Sequence, residues 1–173
     1  SMLPPLGSSK AVHGMIRTDL AVSNPTGSAA AGRLRYYSRS GEVVDRTINL
    51  NAGESKIISD VLVSLFNVTG DAVGYLEYTP TSGSTVMTSR TYTTVSNSAA
   101  TFGAAVPTLS MTSGLRLGQS RKFGGLEDAA LATIQAARPA TFRTNVGLVE
   151  ISGQPATVRL TLHFTPSSRS AAQ

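Results

Sequence analysis

A seven-residue pattern occurs twice in this chain at a fixed spacing. Ile16-Arg17-Thr18-Asp19-Leu20-Ala21-Val22 returns as Phe142-Arg143-Thr144-Asn145-Val146-Gly147-Leu148, and Arg33-Leu34-Arg35-Tyr36 returns as Arg159-Leu160-Thr161-Leu162, both offset by 126 positions. A shared offset means that the intervening turn kept its length, so a pair of strands has been duplicated. In each copy apolar residues alternate with polar ones, the period-two pattern of a half-buried strand. Ile16, Thr18, Leu20 and Val22 share one face, and Leu34 and Tyr36 share another, with Arg33, Arg35 and Tyr37 opposite. Val158, Leu160, Leu162 and Phe164 form the clearest alternating run in the chain.

The same reading continues between the copies. Strands are predicted over 43–50, 72–79, 84–94 and 101–109, parted by turn residues such as Ser40-Gly41-Glu42, Thr81-Ser82-Gly83 and Ser96-Asn97-Ser98. Strands at intervals of about ten residues are the signature of a sandwich or barrel. The period changes at 59–66, where Val61, Leu62, Leu65 and Phe66 fall on one helical face; Ser59 or Asp60 would cap that helix and Gly70 follow its end. A second helix is expected over 126–137, rich in alanine, with Glu127-Asp128 at its start and Pro139 beyond it. Residues 1–10 read as a linker or an added arm, 11–165 as the sandwich domain with duplicated hairpins at 16–37 and 142–163, and 166–173 as a flexible tail. Leu20, Val22, Leu34, Val146, Leu148, Leu160 and Leu162 are expected in one core. Residues 110–141 are long enough to carry the second copy back across the first, and exchange of the hairpin with another chain is the alternative.

Composition narrows the function classes. The chain has no cysteine, which removes disulfides, thiolate metal sites and a cysteine nucleophile together. Its net charge of +5 comes from arginines scattered from Arg17 to Arg169, with no cluster larger than Arg33, Arg35 and Arg39. Nucleic-acid binders concentrate their basic side chains, so a solvated basic surface is the stronger reading. No apolar run reaches the roughly 20 residues of a membrane span. Ser1-Met2 reads as an expression scar that leaves room for a leader upstream.

Candidate chemistry is sparse. His13 and His163 have no acid or nucleophile beside them in sequence, and Ser89-Arg90-Thr91-Tyr92 lies in an alternating strand without a Gly-x-Ser-x-Gly elbow. Arg90 is expected to bridge to a strand carbonyl or to Asp19. Gly114 to Gly118 and Gly124-Gly125 lack the Lys-Ser/Thr ending of a phosphate loop and read as turns. The carboxylates are too dispersed for a calcium loop, so neither metal nor cofactor is expected. Asn67-Val68-Thr69 matches a glycosylation sequon. Tyr36, Tyr37, Tyr75, Tyr78 and Tyr92 include the side chains of a possible sugar surface, and Tyr36, Tyr37, Arg33 and Arg35 are the ligand-surface candidates.

Arg17-Thr18-Asp19-Leu20, Asp60-Val61-Leu62 with Leu65-Phe66, Ser89-Arg90-Thr91-Tyr92, Thr101-Phe102-Gly103 with Val106-Pro107, and Phe142-Arg143-Thr144-Asn145-Val146-Gly147-Leu148 follow one another over about residues 12 to 165. In that order they resemble a β-sandwich module found, often in tandem, in the C-terminal regions of secreted and surface proteins of environmental bacteria. The resemblance implies an exported, non-enzymatic accessory module. The chain departs from the tandem pattern in that the second copy stops after its first hairpin. The expectation is therefore an all-β, antiparallel, immunoglobulin-like sandwich acting as a structural or adhesive module outside the cell. Its partners would be other domains of a parent protein or cell-surface polymers, with a monomer favoured over a hairpin-exchanged dimer. The alternatives are a carbohydrate-binding module and, far behind it, a small hydrolase.

Overall fold

Alternation decides which side of each strand faces the core. In β2 (Gly14–Ser23) Thr18, Leu20 and Val22 are fully buried and Arg17, Asp19 and Ala21 are not. In β3 (Ala30–Ser38) Leu34 and Tyr36 are buried, in β4 (Val43–Leu50) Ile48 and Leu50, and in β6 (Ala72–Ser82) Leu76 and Tyr78. Apart from Thr18, these buried side chains, with Met87 of β7 (Val86–Val95), make one apolar cluster. The structure, a computed structural model, describes residues 2–11, 14–95, 101–124, 129–130, 141–142 and 146–163. It is an all-β antiparallel sandwich.

The remaining elements are β1 (Met2–Ala11), β5 (Ser55–Ile58), α1 (Val61–Ser64), β8 (Thr101–Pro107), a 3₁₀ turn over Met111–Ser113, and the short pair β9 (Ala129–Ala130) and β10 (Thr141–Phe142). Neighbouring strands run β4-β3-β6-β1-β2-β7-β8, with β5 beside the end of β2. One layer holds β4, β3, β6 and the first part of β1. The other holds β2, β5, β7, β8 and the end of β1, because Met2 to Ser8 pair along β6 whereas Ser9 to Ala11 pair with Gly14 to Ile16. Residues 1–10, expected as a linker, are thus largely a strand common to both layers. Its ladder shifts register between Leu3 and Leu6, where Pro4 and Pro5 supply no N–H.

The N-terminal repeat unit is not a hairpin. β2 pairs with β1, β5 and β7, and β3 pairs with β4 and β6, so the two strands lie in opposite layers with Leu20 and Val22 in the same core cluster as Leu34 and Tyr36. Asn24 shapes the connection. Its side-chain amide donates to the carbonyls of Ser28 (2.7 Å) and Asn51 (2.8 Å), its oxygen accepts from the Thr26 N–H (3.1 Å) and hydroxyl (2.7 Å), and its own N–H donates to the Glu54 carbonyl (2.8 Å). A buried amide with this many partners fixes residues 24–29 as an arch over the end of the core, which a two-residue turn could not span.

The helix expected over 59–66 contracts to the single turn α1, whose Val61 and Leu62, followed by Phe66, enter the core. Asp60 stands at its N-cap in the left-handed region (φ 45) and makes no capping bond; its carboxylate is bound to Arg17 of β2 instead. The helix ends well before Gly70. Asn67, also left-handed (φ 56), reverses the chain while the Val68 N–H donates to the Leu62 carbonyl (2.9 Å).

The second repeat differs most from expectation. Residues 146–163 carry no strand, and Val146, Leu148, Val158, Leu160 and Leu162 are exposed rather than buried in the core. An alternating segment buries its apolar row only when a neighbouring edge takes its N–H and C=O groups, and these residues have no such neighbour among those described. Phe142 contributes to the two-residue pair β9–β10, in which Ala129 and Ala130 are strand where a helix was expected. The rest of 126–137, Phe164 and the tail over 166–173 lie outside the described residues, as does His13.

Candidate functional site

The phase of β3 separates the four ligand-surface candidates. Arg33, Arg35 and Tyr37 project from the outer face of the β4-β3-β6 layer, while Tyr36 is 1 % exposed and belongs to the core, its ring tilted against Phe66 (centroids 5.6 Å apart). Tyr36 is therefore no surface residue. Gly74 on β6 makes room for it: a Cβ there would lie 2.5 Å from Tyr36 Cε2 and would also strike the Tyr37 carbonyl. Tyr78 is likewise inside.

Register sets the partners of the other three. Arg33 lies between Thr47 and Thr79, Arg35 between Asp45 and Glu77, and Tyr37 between Val43 and Tyr75. Arg35 grips Asp45 with two bonds, Nε to Oδ1 at 2.7 Å and Nη2 to Oδ2 at 2.9 Å. That fork holds the Asp45 carboxyl below its ordinary range and the guanidinium above its own. The Tyr37 hydroxyl donates to Glu77 Oε2 (2.7 Å), and its ring stacks on Tyr75 with centroids 4.6 Å apart and planes 12° from parallel. Burial, then the bond to Glu77, raises the Tyr37 phenol; burial, then the charges of Tyr37, Glu77 and Glu150, raises that of Tyr75. The result is a face of half-buried tyrosines edged by paired charges. Arg33 is exposed beside it.

Ser89-Arg90-Thr91-Tyr92 is a stitch between strands. Ser89 is buried and donates to the Val106 carbonyl (3.2 Å), Thr91 and Thr18 hydroxyls meet at 3.1 Å, and Arg90 lies over the Tyr92 ring (4.9 Å) while donating to the Thr101 hydroxyl (2.7 Å). Asp19 stands opposite Arg90 in the ladder but accepts from the Tyr92 hydroxyl (3.2 Å) and the Asp60 N–H (2.9 Å). Of the two partners expected for Arg90, a strand carbonyl or Asp19, Asp19 belongs instead to an Arg17–Asp60–Asp19–Tyr92 network, which ties α1 to β2 and β7. Its members are far apart in sequence, so only the fold reveals it. His163 is exposed and Asn67 serves its turn. Gly118 is left-handed (φ 80) in the turn closed by the Gln119 N–H on the Arg116 carbonyl.

At the β3–β4 turn a depression of 460 Å³ is rimmed by Ser38, Arg39, Ser40, Glu42 and Asp71, with Tyr36 among its lining. The Tyr36 hydroxyl is buried without a hydrogen-bond partner among the described residues, and burial followed by the charge of Glu42 raises its phenol. Removing an unpaired polar atom forfeits no bond. Tyr36→Phe is therefore expected to leave stability within about 1 kcal/mol of the parent or to raise it. A loss beyond about 2 kcal/mol in urea unfolding would mean that the hydroxyl is satisfied in solution.

Among the described residues no three His, Asp or Glu side chains gather as metal ligands, and no helix is long and apolar enough to cross a membrane. No protein-family model matches the chain, and no curated protein matches it. Among solved structures it is similar to one described as Thermotoga maritima 1070, at 10 % identity over 61 % of this chain and 89 % of that one, with a TM-score of 0.47. That likeness is too distant to bear on function.

Proposed function

We propose that this chain is a non-enzymatic, immunoglobulin-like structural or adhesive module that works outside the cell as part of a larger secreted or surface protein. One observation carries the reading: two pairs of titratable side chains on the outer sheet face are bound across strands, Arg35 to Asp45 and Tyr37 to Glu77. General acid–base chemistry needs a group that can exchange a proton with substrate within hydrogen-bond reach. Groups committed to cross-strand pairs instead stiffen the face, which suits a surface that other domains or cell-surface polymers lie against.

The stacked Tyr37–Tyr75 pair, with exposed Arg33 alongside, favours a second reading as a carbohydrate-binding module. The test is retention on particulate cell-envelope polymer, run beside a glycan array and a broad hydrolase screen. Retention on the particles without saturable binding to any one glycan is the expected result. Saturable binding that Tyr75→Ala abolishes would transfer the function to the second reading. Turnover of any screened substrate would overturn both.

A further inference from the structure

We infer that the depression at the β3–β4 turn binds a small zwitterion, a free α-amino acid with an apolar side chain. Opposite charges meet there without pairing. Elsewhere on the domain charges within reach of one another are joined, Arg17 to Asp60, Arg35 to Asp45 and Lys56 to Glu54. Arg39 and Glu42 share the rim on either side of Ser40-Gly41, yet neither side chain makes an ion pair or a hydrogen bond among the described residues. The turn that carries them is fixed. The Ser38 N–H donates to the Glu42 carbonyl (2.8 Å), the Glu42 N–H to Ser38 Oγ (2.8 Å) and the Arg39 N–H to the Val73 carbonyl (2.8 Å), so both side chains start from set positions.

Tyr36 adds a buried polar atom. It lines the depression, and its hydroxyl, in a residue only 1 % exposed, has no hydrogen-bond partner among the described residues. The ring reaches across to β6, where a Cβ on Gly74 would lie 3.0 Å from Tyr36 Cζ, the atom that carries the hydroxyl. Gly74 stands opposite Ser38 in the ladder, so the ring leans along β3 toward the turn and aims its hydroxyl end at the depression. An unpaired, desolvated hydroxyl gains more from a ligand atom than one already bonded to water. Charge selects the ligand. An anion alone would meet the carboxylates of Glu42 and Asp71, and a cation alone would meet Arg39; a zwitterion sets its carboxylate against Arg39 and its ammonium against the acids. Val68, Ala72 and Val73 line the same recess and suit a short apolar side chain. Its volume of 460 Å³ falls within the range of about 300 to 1,000 Å³ usual for small-molecule pockets.

The probe is valine, with isobutylamine, which lacks the carboxylate, and isovalerate, which lacks the ammonium, as its controls. Titrated into the isotope-labelled full chain, valine is expected to shift the amide resonances of residues 38–42 and 68–73 saturably, and both controls to bind at least about tenfold more weakly. Arg39→Gln and Glu42→Gln are each expected to weaken valine about tenfold and Tyr36→Phe about threefold, with no fall in melting temperature. Isobutylamine or isovalerate binding as well as valine, an affinity indifferent to any of the three substitutions, or no saturable shift at tens of millimolar valine would each overturn the proposal.

Discussion

Leu34→Ala is expected to lower the unfolding free energy by about 3 to 5 kcal/mol, and Leu160→Ala, in dilute protein, by less than about half a kcal/mol. The two leucines are counterparts in the repeated pattern, so chemistry and local sequence are nearly matched. Burial separates them. Leu34 is wholly enclosed by strands of both layers, and its truncation removes contacts and leaves a cavity that rigid sheets cannot close. Leu160 is 64 % exposed, and its truncation removes little that water had not already reached. Urea unfolding of both variants checks the pair, provided the slope with denaturant stays that of the parent. Equal losses would mean that the second copy lies inside the monomer's core.

Asn24→Ala is expected to cost about 2 to 4 kcal/mol, more than most buried polar truncations, because it removes four hydrogen bonds of one buried side chain at once. The Thr26 N–H loses its acceptor, and the Ser28 and Asn51 carbonyls fall back on one donor each, the Thr26 hydroxyl (3.1 Å) and the Glu54 N–H (3.2 Å), at a site where Asn24 itself is 1 % exposed. Asn24→Asp is the sharper variant. It keeps the shape but turns a carboxylate oxygen toward two carbonyls, so at neutral pH it is expected to be at least as destabilising as Ala. If Asp proved harmless in thermal melts at neutral pH, the arch would not depend on the amide's donors.

What was legible in the sequence was the periodicity. Leu34 and Tyr36 on one face of β3 against Arg33, Arg35 and Tyr37 on the other is a local property, and the fold keeps it. That phase alone removes Tyr36 from any surface, since it travels with Leu34. Pairing was not legible. β2 and β3 are consecutive and alternating, the usual grounds for a hairpin, yet the partners that separate them, β7 and β6, lie far along the chain. β1 was hidden because Pro4-Pro5 and Gly7-Ser8-Ser9 are turn formers by composition; pairing along β6 and β2 overrides that preference. β5 is only four residues, Ser-Lys-Ile-Ile, too few to show a period. At the C-terminal copy the alternation stands in the sequence, but burial is supplied by a neighbour, and no pattern names its neighbour.

The strand that belongs to both layers gives the fold a mechanical character. Ladder bonds run across a strand, so tension along β1 loads them side by side in shear instead of opening them one at a time. Because Met2 to Ser8 grip β6 and Ser9 to Ala11 grip β2, a pull entering through residue 2 loads the β6 ladder first and reaches the other layer at Ser9. The two layers are therefore loaded one after the other along a single strand, and the ten-residue ladder of β2 with β7 carries the load deeper. The weak point under tension is the shift between Leu3 and Leu6, where the ladder is already interrupted.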